Sequence, residues 1–330
     1  MTWSSLGDVD ADAALIEPLV DVTPGIDPWC SGPDWFIPAH VAFSDHATPL
    51  TWSETGTGAV LLSSTRMEDG MTVVAGLEPM WGFSCPLVGP NLADLAELAS
   101  EHLRTIDGWD ACMIPGLPLD EDLARVLAKP FSALGTVQAV YGIVRQVADV
   151  SSGHGEWFDA RSPKFRKAIR QSKKRATAAG VLFTDASDDP SAYQRCVEIE
   201  RNSWKGMTDD GITGPGMHRF YEVMTERLQR QGRFRATVAS IEGEDVGFIF
   251  GGIRNGRYRG LQLSFTEAAR HLSISHLLQH QTLQQIVDEG VHTYDMGMDM
   301  EYKQRWATHE EPSMSMIIHR PPAKRRRRFT

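Results

Sequence analysis

Cysteine is scarce in this chain and is never closely paired. The 330 residues contain four cysteines, Cys30, Cys85, Cys112 and Cys196, and no two of them form a C-x-x-C motif. Structural zinc sites and disulfide frameworks both depend on closely placed thiols. The spacing argues against both kinds of scaffold and predicts four reduced, mostly buried thiols.

Long apolar runs are also missing. No stretch of the sequence approaches the roughly 20 apolar residues that a helix needs to cross a bilayer. The first 27 residues contain no lysine or arginine, so the positive region that opens a secretory signal is lacking. These absences predict a cytoplasmic protein that makes no membrane contact.

Positive charge is nearly absent from the first half of the chain. Residues 1–150 hold 5 Lys+Arg and 21 Asp+Glu, a net of −16, whereas residues 151–330 hold 28 and 22, a net of +6; together they give −10. A basic half favours a polyanionic ligand, and coenzyme A, a nucleotide and tRNA all qualify. The alternative is a chance division of surface charge.

The composition divides the chain into four parts. Residues 1–33 are rich in Asp, Pro and Gly and are predicted to be a flexible acidic arm. In residues 34–150, predicted strands alternate with helices, which indicates an α/β domain. A second domain is predicted for residues 151–320, and residues 321–330 form a basic tail.

The second domain has an informative order of predicted elements. Hydrophobic periodicity predicts an opening helix over residues 163–179, and then strand, helix, helix, three antiparallel strands, helix, strand, helical turn and strand. The three strands are predicted at 234–241, 246–253 and 258–265. Ser273 is predicted to N-cap the next helix, which stops at Gly290.

This order, together with a set of short segments, resembles the GNAT acyltransferases, and among them the Fem-type aminoacyl transferases and the cellulose-synthesis-associated acetyltransferases. The matching segments are residues 157–167, 203–206, 233–235, 246–248, 272–278, 295–298 and 301–306. The resemblance implies an α/β (α+β) protein with tandem GNAT-like domains, each a mixed, largely antiparallel sheet flanked by helices. It also implies an N-acyltransferase without a tightly bound cofactor, which uses aminoacyl-tRNA or acyl-CoA to acylate a small amine, amino acid or peptide.

In the GNAT layout, the donor's phosphates bind where the fourth strand gives way to the next helix. The free N–H groups of a helix start favour an anion there. The common loop pattern, Arg/Gln-x-x-Gly-x-Gly/Ala, is missing, because residues 267–275 contain no glycine. This departure slightly favours aminoacyl-tRNA over acyl-CoA. The predicted donor-binding residues are Ser264, Arg270, Ser273, Ile274, Ser275 and His276.

The resemblance places the acyl-transfer chemistry on the last strand–turn segment of the second domain. Asp295 is predicted to position or deprotonate the acceptor amine, and Lys303 to stabilise the oxyanion or a donor phosphate. Tyr302 occupies the place of a tyrosine general acid. Trp204 and Lys205 are predicted on the acceptor side. The alternatives are a structural carboxylate, a solvated lysine and aromatic packing.

A basic segment precedes these residues. Residues 161–175 hold eight basic side chains and no acid. A solvated helix face is the ordinary explanation, and contact with the phosphodiester backbone of tRNA is the functional one. The predicted contact residues are Arg166, Arg170, Lys173 and Lys174. His276 and His280 have a metal-like spacing but lack the glutamate of H-E-x-x-H, so no metal site is predicted.

Three functions remain open from the sequence. The slightly favoured one is Fem-like aminoacyl transfer from tRNA to an amine. The second is acyl-CoA-dependent N-acetylation. The third, from a different class, is a non-catalytic nucleic-acid-binding module on a GNAT scaffold, because a fold does not fix a function.

Overall fold

A computed structural model describes residues 2–203, 205–206 and 211–321 of the chain. These residues form two compact units. The first runs to Ile143 and resumes at Pro312, and the second spans Val144–Glu311. Trp204 and the basic tail beyond Pro321 lie outside the described residues.

The first unit places its helices beside a mixed sheet. The strands run in the order β1-β2-β3-β4-β6-β13, with β5 paired to β3; β4 and β6 are parallel, and the other described pairs are antiparallel. The elements are β1 (Thr2–Trp3), α1 (Leu6–Ala11), α2 (Ala13–Val22), α3 (Pro33–Phe43), β2 (Thr48–Glu54), β3 (Gly58–Arg66), β4 (Thr72–Gly76), β5 (Leu87–Val88), α4 (Leu92–Thr105), β6 (Ala111–Pro118), α5 (Glu121–Phe131), the start of β7 (Thr136–Asp149) and most of β13 (His309–His319).

The beginning of the chain is folded, so the expectation of a flexible acidic arm over residues 1–33 is wrong for residues 2–33. Ser5 and Asp8 form a reciprocal capping box that starts α1. Ile16 and Val20, four residues apart on α2, are fully buried in the first unit's core. Acidic composition was misleading because the acids lie mainly on the outer faces of short helices whose few apolar residues point inward.

The second unit also surrounds a mixed sheet, with the strand order β7-β12-β11-β10-β9-β8. Only β11 and β12 are parallel among its described strand pairs. Beyond the end of β7, its elements are α6 (His154–Asp159), α7 (Pro163–Ala178), β8 (Leu182–Asp185), α8 (Ala192–Arg201), α9 (Pro215–Arg230), β9 (Phe234–Ile241), β10 (Glu244–Arg254), β11 (Arg257–Phe265), α10 (Ile274–Asp288), β12 (Thr293–Met298), α11 (Glu301–Gln304) and the start of β13.

Both units repeat one order of elements. A first strand and its helices are followed by three antiparallel strands, a helix, a strand parallel to the third, another helix and a last strand. The predicted fold class, a mixed and largely antiparallel sheet flanked by helices in two similar domains, is confirmed. In the first domain this order escapes sequence reading because α1 to α3 carry weak periodicity.

The last strand in each repeat, β7 or β13, begins in one unit and ends in the other. The units therefore divide after residues 143 and 311, and not at the predicted domain limits of 150 and 320. Residues of β7 from Arg145 onward pair with β12 in the second unit. Residues 313–319 of β13 pair with β6 in the first unit. Sequence reading misses this exchange because an alternating strand looks the same whichever sheet receives it.

Aromatic side chains fill the core of the second unit. On one face of the sheet, Trp157 of α6 stacks on Trp306 with ring centroids 5.7 Å apart, and Phe165 of α7 meets Trp306 edge-on. On the other face, Tyr193 and Tyr221 pack edge-on against Phe250. The four cysteines of the two units are buried thiols, as predicted. No helix in the described part of the chain combines the length and hydropathy needed to span a membrane.

Candidate active site

The central strands of the second unit separate to form a notch. The parallel strands β11 and β12 pair at only three positions, from Arg257 with Thr293 to Arg259 with Asp295. Leu261 is an extra residue in the ladder between β11 and β10, because Phe250 pairs with Gln262 and Gly251 with Gly260. Such a bulge bends a strand. Beyond this bulge, β11 diverges from β12, and the edge of β11 that faced β12 is left without a partner strand.

A buried ion cluster sits where the strands separate. The Asp295 carboxylate is completely buried. Arg259 Nη1 lies 2.9 Å from its Oδ1, Arg257 Nη1 lies 3.5 Å from its Oδ2, and Arg145 also donates to Oδ2. The main-chain N–H of Gly297 donates to Oδ1 at 2.8 Å. The carboxylate thus ties β12 to β7 and β11.

The sequence predicts that Asp295 positions or deprotonates the acceptor, and this environment argues against the second of these roles. Burial alone would raise the pKa of the carboxyl, but the attraction of Arg259, Arg145 and Arg257 outweighs it and holds the pKa below its usual range. A carboxylate that is buried and already accepts several charged donors cannot take a proton from an acceptor. Asp295 therefore supports the notch as a positioning residue.

A cavity of about 200 Å³ occupies the notch. Lys205, just after α8, and Lys303, on α11, both line it. Lys205 Nζ donates to the main-chain oxygen of Leu263 at 3.1 Å and to Gln262 Oε1 at 3.3 Å. Lys303 Nζ donates to the main-chain oxygen of Met298 at 2.8 Å. The other lining residues are Ile249, Gly260, Leu261, Gln262, Leu263, Gln279, Tyr294, Met296, Met300 and Tyr302.

The cavity brings together three residues that the sequence placed in the site. Burial and the repulsion of Arg259 lower the pKa of Lys303 to about 8. Burial also lowers the pKa of Lys205, against the opposing attraction of Glu200. Burial raises the pKa of Tyr302, so its phenol stays protonated at neutral pH. Shifts of this kind are typical of reactive sites.

The predicted donor loop begins α10, but its conformation differs from a simple capped start. A 3₁₀ turn, Glu267–Leu272, leads into Ser273, whose φ of 57° and ψ of 40° are left-handed. The Ser273 hydroxyl does not cap the helix; its oxygen instead accepts a hydrogen bond from Arg175 Nη2 at 3.3 Å. The first main-chain N–H groups of α10, at Ile274 and Ser275, have no acceptor within the helix.

The loop residues fall into different surroundings. His276 and Ser273 line a groove beside the helix start. Arg270 is exposed and pairs with Glu267 at 2.8 Å, and it lines neither the groove nor the cavity. The Ile274 side chain is fully buried, so only its main chain can meet a ligand. Ser264 is also buried, and its hydroxyl has no hydrogen-bond partner in the described part of the chain.

The groove is basic and has a volume of about 470 Å³. Lys164 and Arg175 of α7 and Arg305 just after α11 bring positive charge to it, and His276 brings an imidazole that stacks on Trp306. Its remaining lining residues are Ser162, Phe165, Ala168, Ile169, Gln171, Ser172 and Ser273. Because His276 and the cavity residue Gln279 are three positions apart on α10, the groove and the cavity adjoin one turn of this helix.

Sequence reasoning missed Lys164, Arg175 and Arg305. The predicted contacts Arg166, Arg170, Lys173 and Lys174 do not line the groove: Arg166 bonds to Asp159, and the Arg170 guanidinium lies 5.9 Å from the Phe158 ring. The sequence does contain a signal for the two residues on α7. The buried face of this helix consists of Phe165, Ile169, Ser172 and Ala176, and Lys164 and Arg175 are each the immediate sequence neighbour of one of these buried residues.

Comparison with known proteins identifies the domain that holds this site. Residues 163–304 match the family model described as the acetyltransferase (GNAT) domain. This segment is a GNAT acyltransferase domain. The GNAT domain includes the notch, the cavity and nearly all of the groove. No curated protein has a sequence that matches this chain.

Solved structures share the fold over both units at low sequence identity. FemX matches with a TM-score of 0.65 and 12% identity over 92% of this chain and 95% of its own. The C-terminal domain of a putative lysylphosphatidylglycerol synthetase from Agrobacterium fabrum gives 0.57 and 13% over 93% and 91%. A tandem GNAT protein from the clavulanic acid biosynthesis pathway gives 0.50 and 13% over 98% and 99%. The predicted likeness to Fem-type tandem GNAT proteins is confirmed at the level of fold.

Proposed function

We propose that this protein is an N-acyltransferase that forms an amide by direct attack of an acceptor amine on an activated acyl donor at the notch. The observation that carries the proposal is the presence of Lys303 and Tyr302 in one cavity at the point where β11 and β12 separate. A cavity between separated strands can receive an extended substrate arm, and the half-buried Lys303 ammonium supplies positive charge where the reaction needs it.

The proposed steps use groups of this chain alone. The neutral acceptor amine attacks the donor carbonyl, a C–N bond forms, and negative charge collects on the carbonyl oxygen. The Lys303 ammonium stabilises that charge. As the C–O or C–S bond to the donor breaks, the Tyr302 phenol protonates the leaving group, and the excess amine proton returns to the Tyr302 phenolate through solvent. Asp295 holds the notch in shape and takes no proton.

The donor is proposed to be aminoacyl-tRNA. The basic groove at the start of α10 supports an anionic donor, because Lys164, Arg175 and Arg305 converge there with the first amides of the helix. The left-handed Ser273 and the glycine-free loop differ from the common GNAT phosphate loop. Acyl-CoA is the second candidate, favoured by the acetyltransferase family model.

One assay distinguishes the candidate donors. The full chain is incubated with a panel of amines, amino acids and short peptides, with either acetyl-CoA or charged tRNA, and with or without ribonuclease. Amide product that depends on charged tRNA and disappears with ribonuclease is the expected result. Product formed from acetyl-CoA that ribonuclease does not affect would overturn the proposed donor while leaving acyl transfer intact.

The same experiment tests the non-catalytic alternative. If neither donor supports turnover and RNA binds with a steep dependence on salt, then the protein is a nucleic-acid-binding module on a GNAT scaffold. Contact of tRNA with Arg166, Arg170, Lys173 and Lys174 remains a proposal. It predicts that their joint substitution by alanine weakens RNA binding and lowers its salt dependence.

A further inference from the structure

Gln279 is a buried amide on the face of α10 that packs against the sheet. The other buried residues of that face are apolar apart from Thr282, whose hydroxyl lies 2.8 Å from the Thr237 hydroxyl. Burying an amide is costly unless its hydrogen bonds are made. Packing alone would therefore favour a leucine or methionine at this position, and the amide requires another explanation.

The hydrogen bonds of Gln279 leave room for a stronger acceptor. Its Nε2 donates to the sulfur of Met296 at 3.4 Å, and a side-chain hydrogen bond links it to Tyr294. A thioether sulfur is a weak acceptor. Gln262, the other amide side chain of the cavity, instead donates from Nε2 to the hydroxyl oxygen of Tyr221 at 3.0 Å. An oxygen that reached Gln279 would be a better partner for its N–H than the sulfur is.

The Gln279 side chain is accessible to a ligand through the notch cavity. It lines this cavity together with Tyr294, Met296 and Lys303. Gln279 belongs to α10, which precedes β12, and Lys303 belongs to α11, which follows it. An oxygen that enters the cavity can therefore meet an uncharged N–H donor from one helix and an ammonium from another.

We propose that Gln279 is a catalytic residue whose amide leaves the Met296 sulfur and donates to the carbonyl oxygen of the activated acyl group, the same oxygen that Lys303 stabilises. The inference rests on the acyl transfer proposed above. Negative charge collects on this oxygen as the acceptor amine attacks. A donor that is held in place before the reaction stabilises that charge more in the transition state than in the ground state. No proton is transferred to or from Gln279.

The amide and the ammonium would contribute differently as the pH changes. The Lys303 ammonium is lost as the pH rises through its pKa of about 8, whereas the Gln279 amide does not titrate. Removing the amide should therefore lower kcat at every pH and leave the alkaline limb of kcat/KM where it is.

The kinetic test uses the full chain and whichever donor supports turnover. Gln279→Met should lower kcat by about 10²-fold and change KM for the donor by less than about threefold. Gln279→Glu should lose at least as much, and its alkaline limb should move to higher pH, because a carboxylate that faces Lys303 stabilises the ammonium. Gln284→Met is the control, since it makes the same change at an exposed position of α10 and should retain wild-type activity.

Two kinetic results would overturn the inference and leave acyl transfer intact. They are an unchanged kcat in Gln279→Met and an unmoved alkaline limb in Gln279→Glu. Thermal melts of the variants check that each is folded.

A spectroscopic test on the wild-type chain requires no turnover. Ethyl methylphosphonate, an anion whose tetrahedral phosphorus resembles the centre formed during acyl transfer, is titrated into isotopically labelled protein, with neutral ethyl acetate as the second probe. The side-chain amide signal of Gln279, assigned by its loss in Gln279→Met, should shift with the phosphonate and much less with the ester. An unmoved signal would sink the inference. A shift in a protein that transfers no acyl group would support the oxyanion contact and sink only the proposed acyl transfer.

Discussion

Arg259 and Asp295 form the last paired position of β11 and β12, and their side chains bond across that position at 2.9 Å. The strands separate directly beyond this pair. Both side chains of this ion pair are almost completely buried. The attraction between them is therefore strong, and removing one partner would leave the other charge buried without compensation, at a high cost in stability. The notch therefore opens directly beside a buried, charged anchor.

Asp295→Asn tests the anchor. The substitution leaves Arg145, Arg257 and Arg259 around a neutral amide, and breaking a buried pair costs about 3–5 kcal/mol of unfolding free energy. Urea unfolding followed by circular dichroism measures the loss. Glu198→Gln is the control, because it breaks an exposed pair with Arg201 and should cost less than about 1 kcal/mol. Equal losses in the two variants would show that Asp295 is no anchor.

The same carboxylate makes stability depend on pH in acid. The folded pKa of Asp295 lies below its unfolded value of about 3.9. The folded state therefore binds the proton less readily than the unfolded state. Its stabilisation is present above about pH 4 and is lost as the pH falls further. Urea midpoints measured between about pH 2.5 and 6 should fall less steeply for Asp295→Asn than for wild type; parallel curves would contradict this.

The role of Asp295 shows where sequence reasoning stops. The strand itself, its position before a helical turn and its place in the notch follow from local patterns and the family resemblance. The role of Asp295 does not follow from them, because its ion-pair partner Arg145 lies 150 positions earlier in the chain. No local pattern indicates that a strand of the first half supplies this charge. The sequence left a positioning residue, a base and a structural carboxylate all open for Asp295, and the long-range contact favours the structural ion.

Lys303 should set the alkaline limit of activity. Its ammonium is the form that stabilises an oxyanion, and its pKa is lowered to about 8. Since kcat/KM reports the free enzyme, it should fall above about pH 8. Lys303→Arg should move this limb to higher pH, because the guanidinium stays charged up to about pH 12. Lys303→Met should lose about 10²- to 10³-fold in kcat, and Lys167→Met, which removes an exposed lysine, should lose none.

An unshifted alkaline limb of kcat/KM in Lys303→Arg would assign the titration to another group.

The pH dependence of stability gives an independent test of the same lysine. Its folded pKa is lowered relative to the unfolded value of about 10.4, so the unfolded state binds more protons between about pH 8 and 10.4. The contribution of Lys303 to stability should therefore rise with pH across that interval, and Lys303→Met should remove the rise.

Ser273 should be strained where it stands. A non-glycine residue in the left-handed region costs about 1–2 kcal/mol, and Ser273 has a φ of 57°. Ser273→Gly should stabilise the protein by about 1 kcal/mol, minus the loss of the hydrogen bond from Arg175. Ser275→Gly, two positions into the helix, should destabilise it by about 0.5–1 kcal/mol. Melting midpoints of the two variants should shift in opposite directions, and a loss in both would refute the strain.

Periodicity predicted the start of this helix correctly but not its geometry. The change from strand to helical spacing near Ser273 is visible in the sequence, and α10 begins at Ile274. The left-handed turn is not visible, because serine there is ordinarily a side-chain cap. Arg175, 98 positions away, takes the hydroxyl instead. The contact also explains why the groove residues of α7 were missed, since only the fold brings that helix to the loop.

The groove should control donor binding more than the chemical step. Lys164→Ala with Arg175→Ala removes two of its cations. With whichever donor supports turnover, KM for the donor should rise by about tenfold or more, while kcat stays within about twofold, because phosphate contacts far from the reacting carbonyl bind the ground and transition states alike. If the donor is tRNA, the slope of log KM against log salt should also decrease by about one for each phosphate that the variant no longer neutralises.

The control for this double variant uses two other surface cations of the second unit. Lys167→Ala with Arg230→Ala removes the same net charge from exposed positions that do not line the groove and are not among the proposed tRNA contacts. It should leave donor KM within about twofold of wild type, since exposed charges act weakly across solvent at physiological salt. Similar effects of the two double variants would mean that the donor responds to the overall surface charge of the second unit. A large effect confined to Lys164 and Arg175 would place the donor's phosphates in the groove beside Ser273.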